Sequence, residues 1–409
     1  MTDGTRGCRF LLWSAFVFAS AYGTVALARP APNWVRAWAA DPADPSGPEY
    51  SNATLRQFFR ISQAGTTLRV RLSNELGHAP LHIADAGVAL PGAKPGSIAP
   101  GTSFPLSFAG RRDVTLPPGT ALVSDPVPMP VKALASIAVS LYLPKDTRVA
   151  TSHQLARDTT WLARGDETAT VALTSPQALD ARFVVTGVDV DAAPGSGAVV
   201  ALGDSTTDGD GSTVGANRRW PDQLAERIVA AGVPLAVVDA GIAGNRLLRD
   251  ATAPGFGPSA QARFGRDVLS VPGVRTVIVY ESINDIGLPG ALDKPDQAAS
   301  ADDIIAGMRQ LIARAHARHL RIIGATLTPC ADAAFPNYYS AAGEAKRQAV
   351  NRWIREAHAF DGVADFDAVV RDPARPEHLR SAFDSGDHLH PNDTGYRAMA
   401  AAVDLRLLR

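Results

Sequence analysis

The segment 199–207 reads Val-Val-Ala-Leu-Gly-Asp-Ser-Thr-Thr, an apolar run of strand length followed at once by small and polar residues. A short apolar run that ends so abruptly is typical of a buried strand that leads into a loop. Further runs of this kind follow, separated by segments with helical periodicity, at 235–239, 274–280, 320–326 and 362–366. This alternation predicts an α/β domain, in which helices cover both faces of a parallel sheet.

The helical segments between these runs have recognisable starts. Pro221 opens one of them at a first-turn position, a second starts near Ser300, and the last follows Pro391. Each start is followed by apolar residues at helical spacing, which predicts a helix with one face against the sheet.

The part of the chain before the first run has a different rhythm. Within 68–72, Leu and Val alternate with Arg, as expected of a half-buried strand, and turn-forming residues recur between such segments. We therefore predict an antiparallel β-sandwich domain over 33–191, a linker at 192–197 and the α/β domain over 198–409.

The N-terminal segment resembles a secretory signal. Arg6 and Arg9 precede an apolar run over 10–21, and the small residues Ala26 and Ala28 match the spacing that a signal peptidase needs. We predict a signal peptide over 1–28 and a secreted or periplasmic protein with no stable membrane anchor after cleavage. A retained anchor is the weaker alternative, because the run is shorter than the roughly 20 residues of a membrane-spanning helix.

Composition excludes several classes of protein. Forty basic and 41 acidic residues give a net charge of -1, which lacks the basic excess of a nucleic-acid binder. Two cysteines, Cys8 and Cys330, are too few for a disulfide framework, a cysteine-based zinc site or an iron–sulfur cluster. His388 is close to His390, but no carboxylate and histidine cluster at ligand spacing accompanies them. We therefore predict no metal and no cofactor, and expect Ser, His, Asp and Asn to carry the chemistry.

Ligands of open parallel sheets bind outside the carboxyl ends of the strands. In this sequence, a serine, a histidine and an aspartate are expected at that place. A serine hydroxyl becomes a nucleophile when an imidazole takes its proton and a carboxylate fixes the tautomer of that imidazole. Ser205 follows the first strand, and Asp387 precedes His390 by three residues in a single loop. We predict these three residues as a catalytic triad, with Asp384 as an alternative orienting acid.

The oxyanion that forms during such a reaction needs fixed hydrogen-bond donors. The N–H groups of Ser205 and Gly244 and the side-chain amide of Asn284 are suitable, since all three residues follow strand ends. Gly241 is the alternative to Gly244. Asp204 is interpreted as a structural residue, either a helix N-cap or a hydrogen-bonding residue of the loop.

These residues together resemble the SGNH hydrolases, also called GDSL esterases and lipases. The matching residues, in the family's order and over about 210 residues, are Gly203-Asp204-Ser205, Gly244, Asn284-Asp285 and Asp387 to His390. The resemblance implies a flavodoxin-like three-layer α/β domain and an acyl-enzyme on Ser205. The predicted sandwich looks like the extra β domain of a bacterial subset of these enzymes.

Two positions depart from the family pattern: Thr206 stands where the family motif has Leu, and Ser282 where it has Gly. Glycine is expected at position 282 for one of two reasons: the backbone has a positive φ angle there, or the pocket has no space for a side chain. We favour the second explanation, in which Ser282 narrows the pocket and offers a hydroxyl to the substrate.

The leading hypothesis is a secreted serine esterase that hydrolyses short-chain, acetyl-type O-acyl esters, of a small molecule or of a carbohydrate. An acyltransferase that passes the same acyl group to an alcohol is one alternative. An inactive carbohydrate-binding protein is another, although the intact Ser205, Asp387 and His390 argue against it. The oligomeric state is not indicated by the sequence.

Overall fold

The computed structural model describes residues 1–4, 31–250, 252–253 and 255–409. The predicted signal segment, apart from its first four residues, and Cys8 lie outside the described residues. Within the described ranges, no helix combines the length and the apolar character needed to cross a bilayer. Residues 33–409 form one compact unit.

The first part of this unit is an antiparallel β structure. Its strands are β1 (Trp34–Ala39), β2 (Glu49–Tyr50), β3 (Ala53–Arg60), β4 (Leu68–Ser73), β5 (Leu81–Ile83), β6 (Asp85–Ala89), β7 (Phe104–Pro105), β8 (Val114–Leu116), β9 (Ala121–Val123), β10 (Ser136–Leu143), β11 (Thr147–Arg148), β12 (Ser152–Gln154), β13 (Thr160–Arg164), β14 (Gln177–Leu179), β15 (Ala181–Phe183) and β16 (Val185–Asp191). One sheet has the order β14-β13-β3-β10-β6-β7 and a second has the order β1-β16-β4-β9. The predicted antiparallel sandwich is confirmed.

The alternating pattern of the sequence decides which side chains of the sandwich are buried. On β4, Leu68, Val70 and Leu72 are fully buried, whereas the arginines between them are partly exposed. Leu55 of β3 and Val139 of β10, from the other sheet, belong to the same hydrophobic core. Burial of these two inner faces stabilises the sandwich by the removal of apolar surface from water.

The second part of the unit is an α/β structure. Its strands are β17 (Gly197–Gly203), β18 (Leu235–Gly241), β19 (Val274–Tyr280), β20 (Arg321–Ala325) and β21 (Gly362–Ala364). Its helices are α1 (Ser205–Asp208), α2 (Trp220–Ala230), α3 (Ala260–Phe264), α4 (Ile283–Gly287), α5 (Ala301–His316), α6 (Ala341–Glu356), α7 (Phe366–Val370) and α8 (Asp393–Ala402), with a π turn at Gly265–Leu269 and 3₁₀ turns at Pro295–Gln297 and Leu405–Leu408. The strands are parallel in the order β18-β17-β19-β20-β21. This is the flavodoxin-like order, and it confirms the predicted fold.

The predicted helix starts are also found. Pro221 is the second residue of α2, Ser300 caps α5 by accepting a hydrogen bond from the Asp303 N–H, and Asn392 caps α8. The last predicted strand ends earlier than expected, at Ala364, because Asp365 caps α7 instead of continuing β21.

The sandwich covers one edge of the parallel sheet. β18 is the edge strand, and its Val237 N–H donates to the Ser62 hydroxyl of the sandwich at 3.1 Å. Buried residues of both parts, including Val188 of β16 and Val238 of β18, belong to one hydrophobic core. An exposed strand edge would be free to pair with other chains, so this contact protects β18 as well as joining the two parts.

Candidate active site

Ser205 lies where the strand order of the parallel sheet reverses. It follows β17, whose neighbours are β18 on one side and β19 on the other, and it is the first residue of α1. The Asp204 carboxylate caps this short helix by accepting a hydrogen bond from the Thr206 N–H at 3.0 Å, as the N-cap interpretation predicted. Gly209, at φ +100°, ends the helix in a left-handed conformation. Ser205 therefore lies at the crevice where such sheets bind their ligands.

Ser205, His390 and Asp387 form one continuous hydrogen-bonded chain. The Ser205 Oγ lies 2.8 Å from His390 Nε2, and His390 Nδ1 lies 2.6 Å from Asp387 Oδ2. The other oxygen of Asp387 accepts the backbone N–H of His390 at 2.8 Å, which fixes the loop between the two residues. With the carboxylate at Nδ1, the proton of a neutral imidazole is held there, and Nε2 is left to accept the serine proton.

The alternative orienting acid, Asp384, has a different partner. Its Oδ2 lies 2.5 Å from Nδ1 of His388, whose side chain is half exposed. His388 is thus a loop residue that pairs with Asp384, and within the described residues no hydrogen bond joins the Asp384 carboxylate to His390. In the part of the chain that the structure describes, no group of three or more His, Cys, Asp or Glu side chains is arranged to hold a metal ion.

The charges around His390 favour its protonated form. Burial lowers its pKa, but the hydrogen bond to Asp387 and the charge of Asp210 outweigh burial and raise the pKa above the usual histidine value. Burial also raises the pKa of Asp387, but the hydrogen bond from His390, the charge of His390 and the backbone N–H groups of His390 and Leu389 together outweigh burial and hold that pKa well below its usual range. Asp210 Oδ2 lies 4.0 Å from His390 Nε2, and burial raises the pKa of Asp210 to about 6. The imidazole therefore faces a carboxylate on each side.

The two candidate glycines of the oxyanion hole have separate roles. Gly244 has φ +73°, and a β-carbon there would lie 2.3 Å from the ring of Phe256. Gly241 allows close packing, since a β-carbon there would lie 2.2 Å from the backbone nitrogen of Asp208. Among the described residues, no acceptor takes up the backbone N–H of Ser205 or of Gly244. Both N–H groups are thus available to a ligand, and Gly241 is explained by packing alone.

The side chain of Asn284 is held at both ends of its amide. Its Nδ2 donates to the Asn245 carbonyl oxygen at 2.9 Å, and its Oδ1 accepts the Tyr338 hydroxyl at 2.7 Å. The second N–H of the amide has no acceptor among the described residues and is available to a ligand. The neighbouring Asp285 accepts the backbone N–H of Leu247 at 2.6 Å, so it supports the loop between β18 and α3.

The backbone conformation and burial of Ser282 contradict the explanation that this residue narrows the pocket. Its backbone is left-handed, with φ +99° and ψ −3°, where residues with a β-carbon are strained. The side chain is fully buried, and its hydroxyl has no hydrogen-bond partner among the described residues. The family glycine is therefore explained by backbone conformation, and Ser282 does not offer its hydroxyl to a substrate.

The sequence patterns missed four acidic or histidine residues around the site. Asp208 is the last residue of α1 and Asp210 follows this helix, and their closeness to Ser205 in the sequence could have singled them out. His153 and Asp41 come from the β-sandwich and reach the site only through folding. Neither has a motif around it.

A family model described as the GDSL-like lipase/acylhydrolase family matches residues 201–398. The α/β region is a GDSL-like lipase/acylhydrolase domain. The matched residues include Ser205, Gly244, Asn284 and His390. The protein is accordingly a serine hydrolase that acts on carboxylic esters.

Solved structures similar to this chain match about half of it. An aryl esterase of M. smegmatis is 16% identical and covers 52% of this chain and 100% of its own, with a TM-score of 0.41. A lipase/acylhydrolase of Enterococcus faecalis is 20% identical and covers 50% and 92%, with a TM-score of 0.38. A mutant of an acetyl-xylooligosaccharide esterase of Geobacillus is 21% identical and covers 51% and 93%, with a TM-score of 0.38. The comparison with curated proteins gave no match.

Proposed function

We propose that this GDSL-like hydrolase cleaves short-chain, acetyl-type O-acyl esters through an acyl-enzyme on Ser205. The observation that carries the proposal is the unbroken chain from Ser205 Oγ to His390 and Asp387, with distances of 2.8 and 2.6 Å. This geometry suits a serine nucleophile, its general base and the acid that orients the base.

In the first half-reaction, His390 Nε2 accepts the hydroxyl proton as Ser205 Oγ attacks the carbonyl carbon of the ester. The carbonyl oxygen becomes an oxyanion, which the N–H groups of Ser205 and Gly244 and the free amide N–H of Asn284 would stabilise. The ester C–O bond then breaks, and the alcohol leaves with the proton from His390. An acyl group remains on Ser205.

In the second half-reaction, a water molecule takes the place of the alcohol. His390 accepts a proton from this water as its oxygen attacks the acyl carbon. Collapse of the second oxyanion breaks the bond to Ser205, whose oxygen recovers the proton from His390. The carboxylic acid is released and the enzyme returns to its starting state.

The surroundings of His390 support a neutral, hydroxylated substrate. Asp210 is partly buried, and its carboxylate lies 4.0 Å from the nitrogen that faces Ser205. A carboxylate at this place accepts hydrogen bonds from hydroxyl groups and repels an anionic acyl group. We therefore place acetylated carbohydrates among the proposed substrates, together with small esters.

A hydrolysis screen tests this function. We expect the wild-type protein to release acetate from para-nitrophenyl acetate and from acetylated polysaccharides faster than it releases acid from long-chain esters, and Ser205→Ala to release almost none. A preference for long acyl chains would contradict the short-chain proposal. Transfer of acetyl to an added alcohol in place of hydrolysis would favour the acyltransferase alternative.

Export is a separate part of the proposal, and it is supported by the signal-like segment 1–28. Cleavage after Ala28 would make Arg29 the first residue of the mature protein. N-terminal sequencing of protein recovered from the medium or the periplasm tests this, and an intact N-terminus there would contradict it.

A further inference from the structure

His153 is a buried histidine of the β-sandwich that contacts α1, the short helix that begins with Ser205. It lies on β12 and is 5% exposed. Its Nε2 lies 2.9 and 3.0 Å from the two carboxylate oxygens of Asp208, and its Nδ1 lies 2.9 Å from the carbonyl oxygen of Asp41. Both ring nitrogens face acceptors, so the imidazolium form satisfies both by donating two hydrogen bonds.

The charge of Asp208 keeps His153 protonated. Burial alone would lower the pKa of His153, but the adjacent Asp208 carboxylate outweighs burial and raises the pKa to about 9. The pair is therefore a buried, hydrogen-bonded ion pair at neutral pH. Removing one member of such a pair leaves the other charge buried without its partner.

Asp208 joins two parts of the proposed site. It is the last residue of α1, three positions after Ser205, and its Oδ2 also accepts the backbone N–H of Ala243 at 3.0 Å. Ala243 directly precedes Gly244. One carboxylate thus holds the helix that carries the proposed nucleophile and the loop that carries a proposed oxyanion donor, and His153 holds that carboxylate.

A second contact of the sandwich supports the loop that carries Gly244. Arg263 is fully buried, and its Nη1 lies 3.4 Å from the carboxylate of Asp41. Its Nε donates to Asn245 Oδ1 at 2.9 Å, and the carbonyl oxygen of Asn245 accepts the amide of Asn284. The sandwich is therefore in contact with the supports of two proposed oxyanion donors.

We infer that His153 is a positioning residue of the esterase: acting through Asp208, it holds Ser205 and Gly244 in the geometry that the transition state requires. This inference rests on the proposed function. His153 touches no reacting atom, so its loss disturbs alignment and not the chemistry itself. Small misplacements of catalytic groups reduce turnover strongly while substrate binding changes little.

The test compares kcat and KM for para-nitrophenyl acetate in the full-length protein. We expect His153→Ala to lower kcat about 10- to 100-fold with KM little changed. His153→Gln keeps an N–H close to the position of Nε2 and should recover part of the loss. His82→Ala is the matched control, because His82 is a partly exposed histidine of the same sandwich that pairs with Asp113, and its kcat should equal that of the wild type.

Coupling between the two residues provides the second measurement. If His153 acts through Asp208, the double variant His153→Gln with Asp208→Asn should be no slower than Asp208→Asn alone. Losses that multiply would show independent effects and overturn the inference. Should His153→Ala not fold, the two milder variants and their combination decide the question.

A kcat of His153→Ala and His153→Gln equal to that of the wild type, with only thermal stability lowered, would also overturn the inference, because the pair would then be merely structural. Ser205→Ala separates this failure from failure of the proposed function. If Ser205→Ala is inactive and the His153 variants are fully active, only the positioning role is wrong. If Ser205→Ala keeps its turnover, the proposed function itself is wrong.

Discussion

The α/β region and the β-sandwich contribute to the proposed site in different ways. The α/β region supplies every side chain of the Ser205–His390–Asp387 chain, and each of them lies at or near the carboxyl edge of the parallel sheet. The sandwich supplies His153 and Asp41, which contact Asp208 and Arg263 instead of the nucleophile. If the proposed positioning role of His153 holds, a region without catalytic groups determines how such groups are aligned.

The two regions also differ in what remains when they are separated. Every proposed catalytic group lies after Gly195, so the sequence alone predicts that a fragment over 195–409 keeps some activity on a small aryl ester. The structure argues against this, because the fragment would expose the shared core, the edge of β18 and the buried Asp208 and Arg263. We expect the fragment to lose its cooperative fold and its activity, as measured by circular dichroism and ester hydrolysis.

A folded and active fragment would contradict the proposed difference between the two regions. It would show that the sandwich is an accessory domain and that its buried contacts are not needed for alignment.

Variants of the triad should have the next largest effect. We expect Ser205→Ala and His390→Ala each to lower kcat/KM by about 10³-fold or more, because nucleophile and base act as a unit. Asp387→Ala should lower kcat/KM by less, since Asp387 only orients and stabilises the imidazole. Steady-state kinetics on one aryl ester checks the order. Turnover by Ser205→Ala at the wild-type rate would falsify the assignment.

The charge environment of His390 predicts the pH dependence. The base works only when neutral, and its pKa is raised, so activity should be present at high pH and be lost as the pH falls through a value above the ordinary histidine pKa of about 6.5. Asp210→Asn removes a negative charge 4.0 Å from Nε2 and should therefore move this acidic limb to lower pH.

The profile of kcat/KM against pH measures this shift, with Asp302→Asn on the exposed side of α5 as the control. An acidic limb that stays in place in Asp210→Asn would mean that Asp210 does not act on His390.

The smallest effect is expected at Ser282, where the α/β region carries backbone strain. Ser282→Gly should raise the free energy of unfolding by about 1 to 3 kcal/mol, because glycine tolerates φ +99°. Ser282→Ala removes the buried unpartnered hydroxyl but keeps the β-carbon, so it separates the two sources of instability. Denaturant unfolding measures both. A changed substrate preference without added stability would restore the pocket explanation.

The sequence predicted the α/β region well for a physical reason. In a parallel sheet, residues that follow successive strands meet at one edge, so the motifs at Ser205, Gly244 and Asn284 could be assigned to one site from their positions along the chain. Asp387 and His390 share a loop, and their spacing favoured this pair, but only the structure excludes Asp384, which pairs with His388. Periodicity does not specify which strands are neighbours, so the flavodoxin-like strand order was predicted only from the resemblance to the SGNH hydrolases.

The contribution of the sandwich could not be predicted in this way. His153 is separated from Asp208 by 55 positions and Asp41 from Arg263 by 222, and neither pair has a local pattern. The prediction for Ser282 was wrong for a different reason. A φ angle is a property of the folded backbone, and the residue type alone allowed two explanations. In both places tertiary contacts, and not local spacing, decide the outcome.

The most direct test of the central claim is to trap the acyl-enzyme. The full-length protein is mixed with para-nitrophenyl acetate, quenched in acid within the first turnover, digested and analysed by mass spectrometry. We predict one acetyl group on the peptide that contains Ser205, and none on that peptide in Ser205→Ala. Rapid release of the aryl alcohol with no acetylated peptide, or with acetyl on another residue, would contradict the account.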